Sequence, residues 1–85
     1  MGAKLVVLAV LVATGSAGGQ PVETDAARLF HEMDFRTMED CRKANIGMSA
    51  DIEAHLRKSL DDYWRSRLSP GSYRIESGSA CSAIP

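Results

Sequence analysis

His31 and Glu32 open like the helix of a zinc protease, in which two imidazoles one turn apart hold the metal and the glutamate between them acts as general base. The position one turn on is Phe35, so the pattern fails. His31 with Asp34, and His55 with Asp51, remain as imidazole–carboxylate pairs at helical spacing, which gives a secondary reading as a metal or small-ligand carrier using His31, Asp34 and His55. Zinc takes three or four protein ligands, so neither pair makes a site alone, and no metal or cofactor is assigned. Glu39 with Asp40, and Asp61 with Asp62, are paired acids of the kind a glycosidase uses. Neighbours in a helix diverge by about 100°, so neither pair can flank one bond. The chain has no nucleophile elbow, P-loop or dinucleotide fingerprint, and it reads as a non-enzyme. Tyr63, Trp64, Arg65, Ser66 and Arg67 interleave aromatics with cations, a mixture that stacks on bases or binds glycans and phosphates. Trp64 also continues an apolar helical row, which favours a place in the core.

Cys41 and Cys81 are the strongest chemical signal. Two cysteines in an exported chain admit one intramolecular pairing, so a disulfide is expected. Lys4 precedes the apolar run Leu5 to Ala13, and small residues follow from Gly15 to Gly19, the layout of a secretion signal. The run is too short for a membrane-spanning helix, which needs about 20 apolar residues. These features predict a cleaved signal over residues 1–19, cut after Ala17 or Gly19, and a secreted or periplasmic product without a transmembrane span. The formal net charge of the chain is −1, with acids and bases interleaved, which argues against nucleic acid as the partner.

The elements that must hold these residues are read from the breakers. Thr24 caps an expected helix over about 24–45, ended by Gly47, with Ala26, Leu29, Phe30, Met33, Thr37, Cys41 and Ala44 on its inner side. Ser49 caps a second over about 49–68, with Ile52, Leu56, Leu60, Tyr63 and Trp64 inward and the ladder Glu53, Arg57, Asp61, Arg65 outward. The tail 69–85 is rich in Ser and Gly, with one alternation at Tyr73–Glu76. The expected fold is all-α: one small domain over 20–85, an antiparallel helical hairpin whose irregular tail folds back and is held by the disulfide. Phe35 fits this least, because it projects away from the inner face beside His31, Met38 and Arg42. The tail covers Phe35 and Met38, the helix breaks near Asp34, or Phe35, Met38, His31 and Arg42 form a contact patch for a partner protein. The favoured function is a small exported protein-binding module. The rivals are an envelope or membrane-surface helical protein and the ligand carrier above.

Overall fold

A computed structural model describes residues 2–85. The element order is β1 (Ala3–Ala17), β2 (Gln20–Phe35), α1 (Met38–Trp64) and β3 (Tyr73–Ala83). The three strands form one antiparallel sheet in the order β2-β1-β3, with α1 laid on one face. The chain is therefore mostly β with a single helix, and the expected all-α hairpin is overturned.

The apolar run read as a secretion signal is the central strand. Val6, Val7, Val10 and Val12 are β-branched and favour extended backbone, and the strand is paired along both of its edges. Ala3, Leu5, Val7, Ala9 and Leu11 alternate toward α1 and are fully buried. The fold described is that of the chain with this run in place. Gly18 and Gly19, in the stretch read as a peptidase site, make the β1–β2 turn of this fold: both have positive φ, 60° and 80°, as a two-residue hairpin connection of the primed type requires.

The segment expected as the first helix is β2 as far as Phe35. Its apolar residues at 26, 29, 30 and 33 resemble a helical stripe, but pairing with β1 settles the matter, from Ala3 opposite Phe35 to Ala17 opposite Gln20. One bulge interrupts the ladder, since Leu11 faces Ala27 and Val12 faces Asp25, leaving Ala26 extra. The chain leaves the sheet after Phe35, and Thr37 caps α1, its Oγ1 accepting from the Asp40 N–H at 3.0 Å, with Glu39 and Asp40 in the first turn.

A single helix then runs through Gly47 and Ser49, where a break and a new cap were expected. Ser49 does not cap; its hydroxyl donates back to the Asn45 carbonyl within the helix. Gly47 lowers local propensity by about 1 kcal/mol, which packing of the same helix on the sheet overrides. Cys41, Leu56 and Leu60 are its buried residues, packed on the β1 row, with Ile52 and Trp64 half-buried beside them. The tail expected to be irregular is β3, an extended strand paired with β1 from Ala13 opposite Tyr73 to Ala3 opposite Ala83.

Candidate functional site

The expected disulfide is present, linking Cys41 in the first turns of α1 to Cys81 in β3, with Cα atoms 6.2 Å apart. It closes the β3 flank of the helix at one end. Along the rest of that flank runs a seam of side-chain hydrogen bonds. Ser79 donates to Asn45 Oδ1 at 2.6 Å, and Ser77 donates to Glu53 at 2.7 Å while accepting from Arg57 at 3.1 Å. Tyr73 donates to Asp61 at 2.8 Å. The ladder Glu53, Arg57, Asp61 was expected to face solvent, and these three side chains instead reach the strand. Donation to Asp61 raises the Tyr73 hydroxyl above its ordinary pKa, because ionising it would set two negative charges together.

The β2 flank is built differently. Strand pairing puts Ala27, Leu29, His31 and Met33 on the helix side of β2, opposite Leu11, Ala9, Val7 and Leu5. Among the described residues no hydrogen bond or ion pair joins α1 to β2. What separates them is an apolar groove. One part, about 340 Å³, lies between Ala27 and Leu29 of β2 and Leu60, Tyr63 and Trp64 of α1. Its neighbour, about 270 Å³, is lined by His31, Asp51, Ile52, His55 and Leu56. At the mouth Tyr63 is 54% exposed and Leu29 37%. Tyr63 meets Trp64 edge-on with centroids 5.2 Å apart, and the Arg67 guanidinium sits 3.9 Å above the Tyr63 ring. These contacts hold the aromatic pair upright as one wall. Among the described residues no strand lies beside the outer edge of β2, so every second backbone N–H and C=O along it points away from the sheet.

The residues singled out in the sequence are dispersed. Phe35 and Met38 stand at the β2–α1 corner, half-buried against the core. Arg42 is exposed on the helix, and His31 lies four residues back along β2, about 13 Å from Phe35. His31 faces the groove with His55 and Asp51, whereas Asp34 belongs to the opposite sheet face, paired with Lys4. A ligand set of His31, Asp34 and His55 is therefore divided by the sheet, and among the described residues no group of three or more His, Cys, Asp or Glu could hold a metal. Leu29, Leu60 and Tyr63, which form the groove, were all read as core. The available signal was the alternation Ala27, Leu29, His31, Met33, which runs at strand period beside the helical one.

A larger, shallow depression of about 680 Å³ lies where α1 ends near β3, with Arg57, Lys58 and Arg74 on its walls. Its cations are already engaged. Lys58 bonds Asp62 at 2.7 Å, and Arg74 bonds Glu23 at 2.7 Å and Glu76 at 3.1 Å. Arg74 holds the Glu23 carboxyl below the ordinary carboxylate range by hydrogen bonding and charge, and Lys58 does the same for Asp62. No helix among the described residues is long and apolar enough to cross a membrane. The disulfide and that observation are compatible with an extracellular location. No protein family, curated protein or solved structure matches the chain.

Proposed function

We propose that the protein is a non-catalytic binding module of the secreted or periplasmic space, and that it takes an extended protein segment along the outer edge of β2. The observation that carries the reading is the coincidence of two incomplete features on one flank: an unpaired strand edge and, beside it, an apolar groove. A peptide added as a fourth strand gains backbone hydrogen bonds from the edge and places alternate side chains against Leu29, Leu60 and Tyr63. Pro21 and the bulge at Ala26 spoil the ladder near the hairpin tip, so the usable edge is Ala27 to Phe35. The favoured segment has apolar residues at every second position. An oxidising compartment is supported by the disulfide, which joins the helix to the sheet across 40 residues of chain.

The envelope-surface reading rested on two amphipathic helices. One of those segments is a strand, and the other turns its apolar side to the sheet.

The test is selection from a displayed library of random peptides, with Leu29→Glu as the counter-target. Support is a set of peptides with alternating apolar residues that lose binding to Leu29→Glu and perturb the backbone amides of Ala27–Phe35 in NMR titration. Absence of any enriched sequence, or peptides that bind Leu29→Glu equally, removes the proposal.

A further inference from the structure

The sheet face turned away from α1 breaks the rule for a face that meets water. An antiparallel sheet covered on one side alternates apolar inward and polar outward, yet β1 presents Val6, Leu8 and Val10 on its uncovered side, all half-buried only by their neighbours. Leu8 lies between Phe30 of β2 and Gly78 of β3 in one row across the sheet. Phe30 is 59% exposed, the most exposed large ring of the chain, and Gly78 contributes no side chain, so the row reads knob, floor, notch. The notch is a small depression of about 170 Å³ over Leu8, Val10 and Gly78. In the next row Val10 lies between Arg28 and Glu76, and beyond the bulge Val12 lies between Asp25 and Arg74. Each of these rows has opposite charges at its two ends.

We infer that this face pairs with the same face of a second copy, about a two-fold axis running along β1. That rotation exchanges β2 and β3 while keeping each row in place. Phe30 of one copy then enters the Gly78 notch of the other, and Leu8 meets Leu8. Arg28 meets Glu76 and Asp25 meets Arg74, each pair joining contacts these side chains already make within one copy, Arg28 with Asp25 at 4.0 Å and Arg74 with Glu23 at 2.7 Å and Glu76 at 3.1 Å, and each contact occurs twice, as an isologous interface requires. Side chains of Arg and Glu span the roughly 10 Å between packed sheets and absorb the usual turn of about 30° between them. One like-charge meeting results, Lys4 with Lys4. It falls at the rim, where each lysine is held 3.3 Å from its own Glu32. A second copy is preferred to an unrelated partner because the two edges of this one face complement each other in both shape and charge.

The face also sets the strength. Three strands spaced about 4.8 Å apart over five rows give a projected area of about 400 Å² per copy, below the standard interface of about 800 Å² per partner, so a reversible, concentration-dependent dimer is expected. This surface is distinct from the β2 edge and groove, and the two readings stand or fall separately.

Sedimentation equilibrium of the full chain from about 1 μM to about 1 mM provides the test, with midpoints in the micromolar range expected. A Cβ at Gly78 meets nothing within 4 Å in the monomer, so Gly78→Leu leaves the fold intact and fills only the notch. Gly78→Leu and Phe30→Glu should each raise the dissociation constant by at least about tenfold with an unchanged circular dichroism spectrum. Arg28→Glu should weaken the dimer, and the exchange Arg28→Glu with Glu76→Arg should restore it. A wild-type chain that stays monomeric throughout, a Gly78→Leu protein that dimerises like wild type, or a charge exchange that fails to restore association would each overturn the inference.

Discussion

The two flanks of α1 face the same sheet and end in opposite conditions. Toward β3 the helix is fastened by the Cys41–Cys81 bond and by serine and tyrosine hydroxyls that meet Asn45, Glu53, Arg57 and Asp61. Toward β2 no hydrogen bond or ion pair joins it among the described residues, and a groove lined mainly by Leu29, Leu56, Leu60, Tyr63 and Trp64, with His31, His55 and Asp51 at one end, lies between. Polar contacts have direction and length, and they fix where a helix sits; apolar contacts have neither. The polar flank therefore sets the position of α1. A helix held from one side need not close against the other, and the open side is left able to accept something else.

The contrast can be broken at its root by removing β1, because both flanks are built on the strand between them. A chain beginning at Gly18 loses the whole buried row Ala3, Leu5, Val7, Ala9 and Leu11. It should show neither a cooperative thermal transition nor dispersed amide signals, while the chain with residues 1–17 shows both. Intact mass of the protein recovered outside the cell then says which of the two forms is made. The next effect is loss of the disulfide. Cys41→Ala with Cys81→Ala should cost about 4 kcal/mol in urea unfolding, the loop-closure value for roughly 40 residues.

A sharper comparison sets one residue from each flank side by side. Ser77→Ala leaves Glu53 and Arg57 without their shared partner and should destabilise by about 1 kcal/mol. Tyr63→Ala, on the open flank, should change stability by less than about 0.5 kcal/mol, because the ring is more than half exposed, yet abolish peptide capture. Equal costs at the two positions would erase the distinction. The smallest effect is electrostatic. Glu23 and Asp62 have lowered pKa values, so their contribution is present above the ordinary carboxylate values of 4.5 and 3.8 and is lost as pH falls through the lowered ones. Urea midpoints should decline as pH falls below those ordinary values, and Arg74→Gln should shrink that decline by removing the share of Glu23.

Much of this was open to a reader of the sequence, though unevenly. The disulfide followed from cysteine count and context alone. The inward row Ile52, Leu56, Leu60, Trp64 followed from helical period, and α1 uses it. Leu5 to Ala13 carries two readings at once, because a signal core and a central strand with apolar residues on both of its faces have the same composition; the pairing with β3 that makes it a central strand is remote in sequence. Gly18–Gly19 between two runs is itself a hairpin signal, masked by its equal fitness for peptidase cleavage. The groove was the least accessible feature. Tyr63 belongs to the apolar side of α1 and Leu29 to a strand where a helix was expected, and their exposure comes from how far α1 stands from β2, which no local pattern encodes.

Because β1 precedes both strands that pair with it, the centre of the sheet is synthesised before its edges. The β1–β2 hairpin can close early, but the strand's other edge waits for β3, which follows α1, and the apolar row waits for Leu56 and Leu60. At about 5–20 residues per second the interval from Ala17 to the end of β3 is about 3–13 s. Through that interval Lys4 and the valines and leucines of β1 remain an apolar segment with a basic residue at one end, not yet covered by α1 or β3. Any export factor that reads such segments sees this one before the sheet can hide it, and folding and targeting compete for the same residues in time.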